Sequence, residues 1–158
     1  MGGQDFNVLP STAGTSTWVP LPQGCLPGDP SNCPDLRGVG WVNNVPSTGY
    51  KTTNATKVGD YYLGIPSQIQ YFNATDVASL YTDTVGPGSA NTAFPKLDKQ
   101  LVFGLVDKEP LVGLFGLGNT PVTFSSDAAN PWLISYCTDI TRLPGCSFGY
   151  TAGAAYRK

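Results

Sequence analysis

Short runs of β-branched and aromatic residues alternate along this chain with clusters of Gly, Pro, Asn and Ser. The runs are Phe6 to Pro10, Thr17 to Leu21, Asp60 to Ile65, Ile69 to Phe72, Leu80 to Val85, Leu101 to Val106 and Cys146 to Thr151. Runs of this length bounded by turn residues predict strands, and their spacing predicts an all-β domain. One segment departs from the pattern. Ala128 to Thr138 (AANPWLISYCT) predicts a single short helix, with Asn130 as its cap and Pro131 in the first turn, where a missing N–H costs nothing. From Pro27 to Thr56 the density of Pro, Gly, Asn and Ser predicts a long, mobile, loop-rich insertion within the domain.

Composition sharpens this picture. Gly (19) and Pro (14) are abundant in the 158 residues, and only 13% of positions are charged, so turns outweigh solvated helical faces. The length suits one domain spanning residues 1–158. A net charge of −2, with nine basic residues scattered rather than clustered, offers no stripe to neutralise phosphates and argues against nucleic acid as a partner. Apolar runs fall short of the ~20 residues that span a bilayer.

Histidine is absent. A Ser-His-Asp triad, a Cys-His dyad and the commonest zinc sites go with it, and the sequence implies neither metal nor cofactor. The four cysteines fall as two close pairs, Cys25 with Cys33 and Cys137 with Cys146, each around a turn-rich loop. Two local disulfides are the simplest expectation, although four cysteines allow three connectivities. Sequons at Asn54 and Asn73 add two glycosylation candidates, and with the cysteines they favour an oxidising, secreted or cell-surface setting.

Four segments carry a resemblance to a known family. In QDFNVLPSTAGTSTWVPLPQGC (Gln4 to Cys25) a hydrophobic strand enters a turn, followed by Trp18-Val19-Pro20 and a cysteine. This resembles the active-site strand of pepsin-like aspartic proteases, in which the turn reads Asp-Thr-Gly. Here Ser11, Thr12 and Ala13 stand in those places. YFNATDVASLYTDTV (Tyr71 to Val85) is similar to the family's flap hairpin, with Tyr71 in the place of the flap tyrosine that pairs with the indole of Trp18. Phe72 and Ala74 stand where the flap has glycines. GLFGLG (Gly113 to Gly118) resembles the hydrophobic-hydrophobic-Gly segment that threads beside the active-site loop, LPGCSFGYTAGAAYR resembles the strand that follows the lobe's helix, and its SFGYTAG wording is similar to a group of fungal secreted aspartic-protease-like proteins.

The resemblance implies the N-terminal lobe of a pepsin-like fold, with packed β-sheets, a flap hairpin and one short helix, cut short at both ends. It also implies a lobe that does not hydrolyse peptides. Aspartic proteolysis needs two carboxylates whose repulsion splits their pKa values, and a serine hydroxyl does not act as a general base near neutral pH. Ser11 as a nucleophile would need a lysine as its base, and Lys51, Lys57, Lys96, Lys99 and Lys108 lie in no motif that recommends one. Asp76 and Asp83 read as solvated turn carboxylates rather than an acid pair.

The expected role is therefore binding or decoy, through a groove lined by Ser11, Thr12, Trp18 and Tyr71. Its partners would be an extended peptide, a protease inhibitor or a glycan, with a second lobe or a second copy against the inter-lobe face. The alternatives are an endopeptidase lobe working through unusual residues, and a structural wall or cell-surface module.

Overall fold

The computed structural model describes residues 1–39, 41–42, 45–46, 49–50, 55–62, 77–88, 95–106, 112–124, 127–139, 147 and 149. In chain order the elements are β1 (Leu9–Ser11), β2 (Thr17–Pro20), a 3-10 turn (Pro22–Gly24), α1 (Cys33–Leu36), β3 (Trp41–Val42), β4 (Val45–Pro46), β5 (Thr56–Tyr62), β6 (Val77–Val85), β7 (Leu97–Leu105), β8 (Leu114–Gly116), β9 (Val122–Phe124), β10 (Asp127–Ala129) and α2 (Trp132–Asp139). The chain is thus mostly β, as its pattern predicts.

Among the described residues six strands form one mixed sheet in the order β1-β8-β2-β7-β6-β5. β5, β6 and β7 are antiparallel neighbours, β2 runs parallel to β7, and β1 runs parallel to β8. The pairs β3–β4 and β9–β10 are separate two-stranded ribbons.

The period-2 alternation of the strands explains why this sheet is buried on both faces. Across β2, β7 and β6, Trp18, Phe103 and Leu80 form one cross-strand row and belong to one apolar cluster with Ala78 and Leu105. Their neighbours Val19, Val102 and Tyr81 point to the opposite face, where they pack with Leu21, Tyr50, Val85, Leu97, Trp132 and Leu133. α2 closes that second face. Its Trp132 donates its indole N–H to the carbonyl of Val85 at 2.9 Å and stacks on Tyr136, 4.9 Å between ring centroids.

Element boundaries differ from the sequence pattern in instructive ways. The predicted helix begins at Trp132 instead of Ala128, because Ala128 and Ala129 pair with β9 and Pro131 supplies the first helical acceptor, to the N–H of Ser135 at 3.0 Å. The strands predicted from Asp60, Leu80 and Leu101 each begin three or four residues earlier, at Thr56, Val77 and Leu97. Polar residues near the start of β5 (Thr56, Lys57) and β7 (Asp98, Lys99, Gln100) hide those two from a search for apolar runs. The predicted strands at 69–72 and 146–151 fall outside the described residues apart from Ser147 and Gly149.

Pairing of β6 with β7 shifts between Asp83 and Val85, so that Leu97 and Gln100 face residues only two apart on the other strand. The extra residue is a β-bulge, and within it Lys99 takes the left-handed conformation, φ 56°. Strand propensity therefore misleads here. Lys99→Val, which a strand position would ordinarily welcome, is expected to cost about 1 to 2 kcal/mol by urea denaturation, because a branched Cβ is worst tolerated at positive φ.

The described part of the Pro27–Thr56 stretch is tied down. Cys25 and Cys33 form a disulfide at its start, and Cys33, Arg37, Val39 and Tyr50 are buried. Cys137 is also disulfide-bonded, and its expected partner Cys146 lies outside the described residues.

Candidate functional site

β1 and β2 are consecutive in sequence but do not pair with each other. β8 lies between them, parallel to β1 with Ser11 opposite Gly116, and antiparallel to β2 with Trp18 opposite Leu114. The turn joining β1 to β2, Thr12 to Ser16, therefore arches past the C-terminal end of β8.

Main-chain hydrogen bonds stitch the turn to that end. The N–H of Leu9 donates to the carbonyl of Gly113 at 2.9 Å, that of Leu117 to the carbonyl of Ser11 at 2.8 Å, and that of Gly118 to the carbonyl of Gly14 at 2.8 Å. Within the turn, the Ser11 hydroxyl oxygen accepts the N–H of Gly14 at 3.0 Å. This is a short polar side chain capping its own turn.

The approach leaves no room for a Cβ at Gly113 or Gly116. A Cβ on Gly113 would sit 2.4 Å from the carbonyl oxygen of Trp18, and one on Gly116 would lie 2.7 Å from the backbone N and O of Ser16. The glycines of GLFGLG are thus spent on letting one backbone lie against another.

Of the expected groove residues, Ser11 is half-buried at the apex and Thr12 is exposed, beside exposed Ala13. Trp18 is 3% exposed and packs edge-on against Phe103, with centroids 6.4 Å apart, so its ring belongs to the core. Tyr71, Asn54, Asn73 and Asp76 lie outside the described residues, and the flap with them.

The apex is a serine hydroxyl whose oxygen is held by an amide, leaving its proton to donate. Lys57 is not placed to act on it: β5 is at the far edge of the sheet, five strand spacings or about 24 Å from β1, and Lys57 pairs there with Asp60 at 2.9 Å. The pKa of exposed Lys57 is raised chiefly by the hydrogen bond it donates to Asp60, and that of Asp60 is lowered first by the hydroxyl of Ser79 and then by Lys57, both donating to it. Lys96 and Lys99 flank or lie on β7, three spacings or about 14 Å from β1. Lys51 and Lys108 lie outside the described residues. Among the described residues no cluster of Cys, Asp or Glu is arranged to hold a metal.

Asp83 corrects one expectation. It is not a solvated turn carboxylate: it sits in β6 at 7% exposure, accepting the phenol of Tyr50 at 2.6 Å and the N–H of Thr84 at 2.7 Å. Burial, then the hydrogen bond to Asp83, pushes the pKa of Tyr50 far above its usual value. The pair joins residues 33 positions apart in sequence, and only the isolated Gly-Tyr at the end of a polar loop signals it.

Comparison with family models, with curated proteins and with solved structures returns no match.

Proposed function

We propose that this chain is a protease-like lobe that binds an extended peptide at the Ser11 turn without hydrolysing it, in a secreted setting. The observation that carries this reading is the strand order β1-β8-β2, in which the hydrophobic-hydrophobic-Gly strand threads between the two strands that hold the turn. The resemblance to pepsin-like proteases expects that segment beside the active-site loop. The turn is rigidly framed by main-chain hydrogen bonds, as a recognition element should be, yet its apex offers a hydroxyl where the chemistry needs a carboxylate. The setting is supported by the Cys25–Cys33 disulfide. No helix among the described residues is long and apolar enough to cross a membrane.

Two measurements test the reading. Calorimetry with a statine-type peptide inhibitor is expected to give saturable binding that weakens when Thr12 is replaced by Lys; no heat of binding would count against a peptide groove. In a casein or quenched-peptide assay at acidic pH, the chain and its Ser11→Ala variant are both expected to stay at background. Hydrolysis that disappears in Ser11→Ala would overturn the non-catalytic assignment.

A further inference from the structure

A cleft of about 270 Å³ opens between residues 1–10, the turn that follows β6, and β8. Its apolar walls are Met1, Phe6, Val8, Pro10, Pro87 and Phe115, while Gln4 and Asn7 supply the polar side chains. Strand alternation separates this cleft from the Ser11 turn. Pro10 lies opposite Phe115 across β1 and β8, and Val8 and Phe115 pack against the Val19 cluster, on the α2 face of the sheet. Leu9 and Ser11 point the other way, to the face where Leu114, the partner of Leu9, packs with Trp18.

The walls are held from behind. The Phe6 ring meets Tyr50 edge-on at 6.1 Å, and Tyr50 is fixed by its bond to Asp83. Phe115 lies 5.3 Å from the ring of Trp132, whose indole N–H is committed to the Val85 carbonyl. The N–H of Asn7 donates to the carbonyl of Gly38 at 2.7 Å. On the far side, a Cβ on Gly86 would sit 2.5 Å from the carbonyl oxygen of Pro95, so that turn is packed tightly against its own base. Walls braced in this way keep their shape, and a ligand does not have to order them.

Size and lining define the ligand. A cavity of about 150 Å³ lined by Leu, Ile and Phe is enough for benzene, whereas sites for drug-sized molecules begin near ~300 Å³. This cleft therefore suits one substituted ring. Phe6 and Phe115 offer edges and faces that favour an aromatic partner. None of the lining side chains is charged, so an ionised ligand would leave water for a site without a counter-ion. The Met1 ammonium is already balanced, donating to the Gln4 carbonyl at 2.8 Å with the charges of Asp83 and Asp5 acting on it. At the rim, the exposed amide of Asn7 can donate to or accept from a hydroxyl.

We infer that this cleft is a binding site for a small, uncharged aromatic molecule, a single ring carrying a hydroxyl or an amide. A peptide lying over Ser11 is on the other face of the sheet and cannot place a side chain here, so the ring belongs to a free compound. The site works independently of the peptide face.

Amide-detected NMR during titration of the full chain with benzyl alcohol tests it. Saturable shifts centred on residues 4–10, 86–88 and 113–116 are expected, with a dissociation constant of about 1 mM or tighter for so few atoms. Cyclohexylmethanol, of similar shape but without a π-face, should bind about threefold more weakly, and benzoate at least about tenfold more weakly. Phe115→Leu should erase the preference for benzyl alcohol over cyclohexylmethanol. Asn7→Trp, at the exposed rim, should obstruct the mouth and weaken benzyl alcohol severalfold, whereas Thr12→Lys at the Ser11 turn leaves it unchanged. Circular dichroism melts verify that each variant is folded, and Phe6→Leu replaces Phe115→Leu if that one is not. Absence of saturable shifts, shifts centred elsewhere, or equal binding of the three probes would each overturn the inference. Displacement of benzyl alcohol by the statine-type inhibitor would overturn it too, by making the cleft part of the peptide groove. An inhibitor that fails to bind while benzyl alcohol binds removes the peptide reading alone, and the reverse result removes the aromatic site alone.

Discussion

Gly116→Ala is expected to destabilise the chain by about 3 kcal/mol, the upper end of what forced overpacking costs, and to lower its melting temperature by roughly 6 to 12 °C for a domain of this size. The added Cβ would meet the backbone N and O of Ser16 and the carbonyl carbon of Thr15, each at 2.7 Å. None of these is the tip of a side chain that can swing away. Relief comes only by moving the turn off β8, which breaks the hydrogen bonds from Leu117 to Ser11 and from Gly118 to Gly14. The same variant should therefore lose at least tenfold in affinity for a peptide inhibitor, more than global destabilisation would explain while it remains folded. Thr12→Ala, at an exposed position of the same turn, is the control and should shift stability by less than about 0.5 kcal/mol. If Gly116→Ala melts like the parent, the close packing of β8 against the turn is wrong.

How much of this was legible beforehand depends on the range of the interactions involved. The strand Thr17–Pro20 is a four-residue buried run, and its neighbours in sequence are enough to predict it. The disulfide Cys25–Cys33 spans eight residues and is likewise a local inference. What the pattern could not supply is order in the sheet: no property of Leu114 to Gly116 alone says that it lies between β1 and β2, almost a hundred positions away. GLFGLG by itself reads as a Gly-rich apolar stretch, and only the resemblance gave a reason to expect it beside the turn. Asp83 shows the opposite failure. A lone carboxylate between two threonines in an alternating stretch reads as solvated, because the partner that makes its burial tolerable is a tyrosine at the end of a distant loop.

That partner makes Tyr50→Phe the second substitution of large effect. Tyr50 is 1% exposed, its amide donates to Pro20 at 2.9 Å, and its ring meets Phe6 and Tyr81 edge-on at 6.1 and 5.7 Å. Phenylalanine keeps those ring contacts but removes the hydroxyl that reaches Asp83. The carboxylate then keeps the Thr84 amide at 2.7 Å and loses a donor it cannot replace from water at 7% exposure. Hydrogen bonds to charged groups contribute about 1.5 to 3 kcal/mol, and a loss of about 2 to 3 kcal/mol is expected near neutral pH. The pH dependence separates this bond from generic packing. Burial and Asp83 raise the Tyr50 pKa above its ordinary value of 10.0, so the unfolded chain ionises first. The contribution is complete below about pH 10 and declines as pH rises from there toward the folded value. Urea midpoints for the parent should thus fall above pH 10 more steeply than those of Tyr50→Phe, narrowing the gap between them. A double-mutant cycle with Asp83→Asn should give a coupling above about 1 kcal/mol; additive effects would mean that the two side chains do not meet in solution, and that the long loop ending at Gly49 is anchored by its backbone and aromatic contacts alone.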